Sequence, residues 1–114
     1  MTTPPTRRDE QRRQALLDQI SRLGFCLPGT LTERHTRCSS PGCRCRADPP
    51  ALHGPYYSWT RKIAGKTVTR TLSPDQARRY TPWFDDARQL RALTAELEAL
   101  SLKLAQDAEG WGEK

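Results

Sequence analysis

The residues of this chain best suited to chemistry are three cysteines and one histidine that lie close together in sequence. They follow the spacing Cys38-x4-Cys43-x-Cys45-x7-His53. Zinc prefers four ligands in a tetrahedron, and thiolates and imidazole are its usual ligands in structural sites. Pro41-Gly42 supplies a tight turn that would let the thiolates converge. The pattern predicts a metal-binding knuckle with zinc as the candidate ion and with Cys26 and His35 as substitute fourth ligands.

Two other interpretations of these cysteines are compatible with the sequence. Free thiols in a loop can pack as small apolar side chains, and thiols beside cationic groups can act as a redox switch. Cys26 follows the apolar end of a predicted helix and is typical of a core residue. His53 could equally be an exposed loop histidine. If a metal is bound, Arg37, Arg44 and Arg46 would offset the charge of the thiolates.

The positive charge of the chain is concentrated around this knuckle. The formal net charge is +6, and residues 34–80 hold ten Lys and Arg residues against two acidic ones. A cationic segment attracts polyanions, and the excess of arginine over lysine favours bidentate binding of phosphate. The alternative is that the arginines only solvate the surface. The predicted nucleic-acid-binding residues are Arg37, Arg44, Arg46, Arg61, Lys62, Lys66 and Arg70.

We expect neither a signal peptide nor a membrane span. The N-terminal residues are rich in Thr, Pro and Arg and lack the apolar stretch of a signal peptide. No apolar run approaches the ~20 residues that a membrane span needs. We therefore expect a cytoplasmic protein with no membrane partner. Because thiols are kept reduced in that compartment, we expect thiols or metal ligands rather than disulfides.

The elements that must position the knuckle predict an α+β fold. Apolar residues recur at three- and four-residue steps up to Leu23, which predicts a helix that Gly24 ends. The predicted organisation is a disordered tail over 1–6, a single domain over 7–108 and a disordered tail over 109–114. The predicted segments of the domain are a helix over 7–24, a possible strand over 30–37, the knuckle over 38–55, a hairpin over 56–72 and helices over 73–108.

A β-hairpin is the clearest short element. Ala64-Gly65 fits a two-residue turn in which Gly supplies a positive φ. That register pairs Arg61 with Val68, Trp59 with Arg70 and Tyr57 with Leu72, and it places all six on one half-buried face. The opposite face carries Ser58, Thr60, Lys62, Thr67, Thr69 and Thr71. We expect Arg70 to stack on the indole of Trp59, and a third strand would extend the hairpin to a small antiparallel sheet.

Two helices are predicted after the hairpin. Ser73, Pro74 and Gln76 form a helix start with a capping box, and Pro82 is expected to begin a second, longer helix. That helix carries leucines at alternating three- and four-residue steps. They pack either on the first helix within one chain or in the interface of a dimer. The leucines of this seam are Leu90, Leu93, Leu97, Leu100 and Leu104.

The motifs between residues 25 and 104 resemble those of a family of small, uncharacterised bacterial proteins. They are Leu27-Pro28-Gly29-Thr30-Leu31, Arg37-Cys38, Pro41-Gly42-Cys43-Arg44-Cys45, His53-Gly54-Pro55-Tyr56-Tyr57 and Gly65-Lys66-Thr67. The family's knuckle reads Cys-Gly-Lys-Pro-x-Cys-x-Cys, and here Ser39-Ser40 replaces Gly-Lys. This domain of unknown function is often encoded near transposases and recombinases, so the resemblance implies a role with mobile-element DNA. The hairpin is also similar to the arm-binding sheet of tyrosine recombinases, a likeness of fold alone.

No catalytic constellation is recognisable in the sequence. The basic segment holds only Asp48 and Asp75 as carboxylates, and no known catalytic motif is present. A thiol-based activity at Cys43 or Cys45 is the one enzymatic alternative. The sequence predicts a small, basic, non-enzymatic protein that binds nucleic acid, DNA rather than RNA. The competing prediction is a protein-interaction module, either a homodimer or a partner of a recombinase or transposase.

Overall fold

A computed structural model of the chain describes residues 3–112 and confirms the α+β fold. The predicted disordered tails, 1–6 and 109–114, lie partly outside that range. Residues 3–26 and 86–112 form one compact unit, and Leu27–Asp85 form a second. The elements in chain order are helix α1 (Arg7–Ser21), strand β1 (Thr30–Thr36), a single 3-10 turn (Arg44–Arg46), strands β2 (His53–Ile63) and β3 (Lys66–Leu72), and helix α2 (Pro74–Glu109).

Helix α1 begins with a capping box that the sequence analysis missed. The hydroxyl of Thr6 accepts the backbone N–H of Asp9, and the Asp9 carboxylate accepts the backbone N–H of Thr6. The helix ends at Ser21, three residues before the predicted end. Arg22 caps it in a right-handed conformation, with its N–H directed at the carbonyls of the last turn. Gly24 therefore does not end the helix as predicted, and its φ is not positive.

The first compact unit is an antiparallel helical hairpin, formed by α1 and the part of α2 from Asp86 to Glu109. Arg12 near the middle of α1 forms an ion pair with Glu96 at 2.8 Å. The backbone N–H of Gly24 donates to the carboxylate of Asp86 at 2.8 Å. The fully buried side chains of this unit include Leu16 and Leu93. Apolar burial therefore stabilises the hairpin, at roughly 25 cal/mol per Å² of apolar area removed from water.

The second unit contains a three-stranded antiparallel sheet in the order β1-β2-β3. The predicted hairpin register is confirmed, because Tyr57 pairs with Leu72, Trp59 with Arg70 and Arg61 with Val68. Ala64 and Gly65 have φ of 51° and 80°, as a two-residue type I′ turn requires. The possible strand over 30–37 is present as β1, which pairs with β2.

One face of the sheet carries the core of this unit. The ring of Trp59 meets Phe84 of α2 edge to face with centroids 5.9 Å apart, and Leu72, Ala77 and Phe84 are buried. Gly29 is required beside Trp59. Its φ is +111°, and a Cβ there would lie 2.5 Å from the indole nitrogen. The Trp59 indole N–H donates to the carbonyl of Pro28 at 2.9 Å.

The cation on the Trp59 ring is Arg61, so the expected stacking of Arg70 is wrong. The Arg61 guanidinium lies 4.0 Å from the ring centroid. Arg61 is next but one to Trp59 on the same strand, so its side chain lies on the same face and reaches back over the indole. Arg70, directly opposite Trp59 on β3, stays exposed.

The two predicted C-terminal helices are one continuous helix. Ser73 and Gln76 form the predicted capping box at its start, but α2 passes through Pro82 without ending. Pro82 removes the N–H that would bond to the Arg78 carbonyl. Both residues are exposed, so water can satisfy that carbonyl, and the buried residues Ala77 and Phe84 fix the helix on either side of the proline.

Candidate metal centre

The structure brings the four predicted metal ligands together. The ligand atoms of these residues all lie within 4.8 Å of one another. Three of the side chains are half-buried and one, Cys45, has no exposed surface. All cysteines are free thiols. The four residues that could hold a metal ion are Cys38, Cys43, Cys45 and His53.

The distance between the sulfur atoms of Cys38 and Cys45 matches two ligands of a tetrahedral metal site better than it matches a disulfide. The sulfur atoms of Cys38 and Cys45 are 3.7 Å apart. A tetrahedron with metal–sulfur bonds of ~2.3 Å has sulfur–sulfur edges of about 3.8 Å, whereas a disulfide requires about 2.05 Å. The sulfur of Cys43 lies 3.2 Å from Nε2 of His53. These two separations, and the 4.8 Å within which all four ligand atoms lie, are those of a cluster that could hold one metal ion.

Backbone hydrogen bonds shape the loop that carries the three thiols. The N–H of Cys38 donates to the sulfur of Cys45 at 3.3 Å. The N–H of Cys43 bonds to the carbonyl of Ser40, and the N–H of Arg46 bonds to that of Cys43. These two turns fold Cys43 and Cys45 back toward Cys38. Hydrogen bonds that orient ligands in this way are typical of structural metal sites.

The pKa values of two of the thiols are shifted in opposite directions. The backbone of Ser40, followed by the side chains of Cys43 and His53, lowers the pKa of Cys38 from 9.0 to about 6. The Cys38 backbone N–H also lowers the pKa of Cys45, but burial and the adjacent Cys43 and Cys38 thiols outweigh it and raise that pKa. In the metal-free cluster, Cys38 therefore ionises before Cys45, and a cation would favour the thiolate form of both.

His53 is the first residue of β2, not a loop residue. It pairs with Thr36 of β1 across an irregularity in the register between Arg34 and Thr36. Gly54, with a φ of +129°, follows it, and a Cβ there would lie 2.9 Å from the Arg34 carbonyl. The sheet thus fixes the fourth ligand, while the loop supplies the three thiols. The substitute ligands Cys26 and His35 are not members of the cluster, and the Cys26 thiol points to the carbonyl of Gly24.

The predicted nucleic-acid-binding residues occupy separate parts of the second unit. Arg44 and Arg46 belong to the knuckle segment, Arg37 directly precedes it, and all three are exposed. Lys62 and Lys66 flank the hairpin turn, and Lys62 is nine residues from His53 along β2, or about 30 Å in an extended strand. Arg61 and Arg70 share the face that carries Trp59. Nucleic-acid binding by these residues stays a prediction.

One arginine of the knuckle has a structural contact that the sequence did not indicate. The guanidinium of Arg46 donates to the backbone carbonyl of Cys38 at 2.5 Å. This bond links the last turn of the knuckle to its first ligand. By contrast, Arg37 and Arg44 form no ion pair within residues 3–112. Their charges are therefore available to an anionic partner.

The face of the sheet that carries Lys62, called the open face below, is more polar and more extensive than the β-hairpin alone predicted. Strand alternation adds Arg34 and Tyr56 to the face that carries Lys62. The hydroxyls of Thr60 and Thr69 lie 3.2 Å apart across two strands. Sequence reasoning missed Arg34 because the pairing of β1 with β2 was not specified. The other hydroxyl residues of this face are Thr30, Thr32, Ser58, Thr67 and Thr71.

The leucine seam lies on the part of α2 that pairs with α1. Leu93 is 1% exposed within the single chain, and Leu90, Leu97, Leu100 and Leu104 are half-buried. This placement is compatible with packing inside the helical hairpin. A dimer through the seam stays a prediction.

These features define a class: an α+β domain in which a Cys3His cluster joins a loop to a three-stranded sheet. The chain belongs to the family described as Domain of unknown function (DUF6788), which matches residues 6–81. That match covers α1, the sheet and all four candidate ligands. No curated protein and no solved structure matches the sequence. Within residues 3–112, neither helix combines the length and the apolar character needed to cross a membrane.

Proposed function

We propose that this domain is a zinc-stabilised module that binds nucleic acid, with DNA preferred over RNA. The observation that carries the proposal is the convergence of three thiols and one imidazole within 4.8 Å in a segment that contains Arg44 and Arg46 and directly follows Arg37. Zinc is the ion best matched to this ligand set, since Cys3His is one of its usual structural combinations. An association with mobile-element DNA stays a prediction from the family resemblance.

The zinc would have a structural role. All four positions of a tetrahedron are supplied by the protein, so a metal there would keep no open position for substrate. Three thiolates and a neutral imidazole around Zn²⁺ carry one net negative charge. The nearby Arg44 and Arg46 offset that charge, and the Arg46 bond to the Cys38 carbonyl holds one guanidinium beside the site.

The metal is tested by elemental analysis of the purified full chain. We expect about one zinc per chain in the wild-type protein, as a closed four-ligand site requires. Cys43→Ser should lose most of the metal, and Cys26→Ser, a thiol outside the cluster, should retain it. Reconstitution with Co²⁺ should give the absorption bands of tetrahedral thiolate coordination. A metal-free wild-type protein that is fully folded contradicts the proposal.

The knuckle arginines would supply the phosphate contacts. Arg37 and Arg44 are exposed and without ion-pair partners within residues 3–112. Arginine binds phosphate through parallel N–H bonds in a fixed plane. Arg34 and Lys62 on the open sheet face add two further cations, and the hydroxyl residues there can donate to the sugar-phosphate backbone.

The nucleic-acid interaction is tested by fluorescence anisotropy with a short duplex over a range of salt concentrations. Affinity should fall as salt rises, and Arg37→Ala/Arg44→Ala should reduce the salt slope by about two, one for each lost phosphate contact. Arg7→Ala/Arg8→Ala removes the same charge from α1 and is the matched control. Salt-independent binding, or equal effects of the two double variants, contradicts the proposal. Parallel titrations with duplex RNA test the preference for DNA.

A further inference from the structure

A cleft in the second unit has the composition of a ligand site and is separate from the knuckle residues. Its volume is about 300 Å³, at the lower end of the range for small-molecule sites. Strands β2 and β3 form one wall and the first turns of α2 form the other. The residues that line it are Leu27, Trp59, Arg70, Leu72, Gln76, Tyr80 and Trp83.

Three aromatic rings line this cleft, and their positions are fixed before any ligand arrives. Tyr80 and Trp83 meet edge to face with centroids 5.1 Å apart and an interplanar angle of 77°. The Trp59 ring is held by its bond to the Pro28 carbonyl, by Phe84 and by the guanidinium of Arg61. Preformed aromatic walls favour a planar ring that can stack or pack edge to face.

Two polar groups at the cleft are free to bind a ligand. Arg70 is exposed and has no hydrogen-bond or ion-pair partner within residues 3–112. Gln76 uses its side-chain carbonyl to accept the N–H of Ser73 at 2.9 Å, which leaves its amide NH2 available as a donor. The cleft thus offers apolar aromatic walls, one uncompensated cation and one amide donor.

We infer that this cleft binds a nucleoside monophosphate group, with the base between the aromatic side chains and the phosphate on Arg70. The base packs against the aromatic side chains of the cleft, and its acceptor atoms can accept hydrogen bonds from the Gln76 amide. The phosphate neutralises Arg70 through charge-assisted bonds. The same chemistry is presented by a free nucleotide and by an unstacked nucleotide of a single strand. The inference goes beyond the proposed function, because it does not require metal or duplex binding at the knuckle.

The three tryptophans of the chain provide the measurement. In ¹⁵N-labelled protein the indole N–H signals of Trp59 and Trp83 should shift saturably with adenosine monophosphate. Trp111 is 64% exposed and does not line the cleft, so its signal is an internal control. Adenosine should bind at least about tenfold more weakly, because it lacks the phosphate that forms charge-assisted bonds with Arg70. Inorganic phosphate alone should not shift the Trp83 signal.

Arg70→Ala should reduce the affinity for the monophosphate to that for adenosine and leave adenosine binding unchanged. Arg91→Ala removes the same charge from an exposed position of α2 that does not line the cleft and should have no effect. Tyr80→Ala should weaken the binding of both ligands. The inference is overturned if no saturable shift occurs at millimolar ligand, if Trp111 shifts as much as Trp83, or if Arg70→Ala and Arg91→Ala behave alike.

Short single strands separate the two sources of the ligand. A pentanucleotide that binds at least tenfold more tightly than the monophosphate, and loses that binding in Arg70→Ala, supports a site for an unstacked nucleotide of a strand. Equal or weaker binding of the strand supports a site for the free nucleotide. Strand binding that survives both Arg70→Ala and Tyr80→Ala shows that the strand contacts another surface and overturns the assignment of strand recognition to this cleft.

Discussion

The helical hairpin and the knuckle differ in what holds each of them together. The hairpin buries Leu16, Ala87 and Leu93 and adds an ion pair and a capping box. In the knuckle, over residues 38–55, Cys45 is the only buried side chain. Apolar burial can stabilise the hairpin without any cofactor. A segment of 18 residues with one buried thiol has little of that source of stability, and under the proposed function a bound metal would supply it.

Metal removal should therefore affect the two regions very differently, and this is the largest effect expected. Structural zinc contributes ~10–16 kcal/mol in zinc-finger peptides. After chelation, the amides of Arg46, Ala47 and Ala51, which are hydrogen-bonded in the knuckle, should lose protection from hydrogen exchange. The amides of α1 should retain theirs.

Two results would contradict this comparison. Unchanged protection of the three knuckle amides after chelation would show that the loop is stable without metal. Loss of protection throughout α1 would show that the metal stabilises the whole chain. The Cys26→Ser protein should respond to chelation as the wild type does, because Cys26 is outside the ligand cluster.

The same contrast explains what could be predicted from the sequence. The register of the β-hairpin followed from strand alternation and from the Ala64-Gly65 turn, both of which are local properties. The four candidate ligands were found because metal coordination restricts both residue type and spacing. Neither prediction required knowledge of distant contacts.

Other features could not be read from local patterns. Pro82 is an ordinary signal for a helix start, but buried residues on both sides of it keep α2 continuous. Arg61 and Arg70 both neighbour Trp59, and strand alternation does not decide which of the two guanidinium groups lies on the indole; the structure places Arg61 there. The aromatic cleft brings Leu27 together with residues some 30 to 56 positions later in the chain, a proximity that no sequence window contains.

Truncation of a buried leucine tests whether apolar burial stabilises the helical hairpin. Leu16 is fully buried in the helical hairpin, so Leu16→Ala should lower the free energy of unfolding by about 2–5 kcal/mol. Leu102, which is 59% exposed on α2, is the matched control, and its truncation should cost less than about 1 kcal/mol. Chemical denaturation followed by circular dichroism measures both.

The metal content of Leu16→Ala shows whether its loss of stability is confined to the helical hairpin. Leu16→Ala protein under native conditions should bind as much metal as the wild type, because none of the ligands lies in the hairpin. A variant that loses metal in proportion to helix stability would show that the two regions fold as one cooperative unit. Equal costs for Leu16→Ala and Leu102→Ala would show that the interior of the hairpin is not formed as described.

The smallest expected effect concerns the N-terminus of α1. Thr6→Ala removes the hydroxyl that accepts the N–H of Asp9 and should cost about 1 kcal/mol at neutral pH. Thr6→Ser keeps the hydroxyl, and its free energy of unfolding should differ from that of the wild type by a few tenths of a kcal/mol at most.

The same cap predicts a pH dependence of the stability. The backbone N–H of Thr6, followed by its hydroxyl, lowers the pKa of Asp9 below 3.8, since both donate to the ionised carboxylate. A lowered pKa means that this stabilisation is complete above the unfolded value of 3.8 and is lost as the pH falls through the folded value. The stability advantage of the wild type over Thr6→Ala should therefore shrink on acidification from pH 5 toward pH 2, with the pH dependence of Thr6→Ser following the wild type. An advantage that grows on acidification would have the opposite sign and would show that the carboxylate of Asp9 does not stabilise the helix.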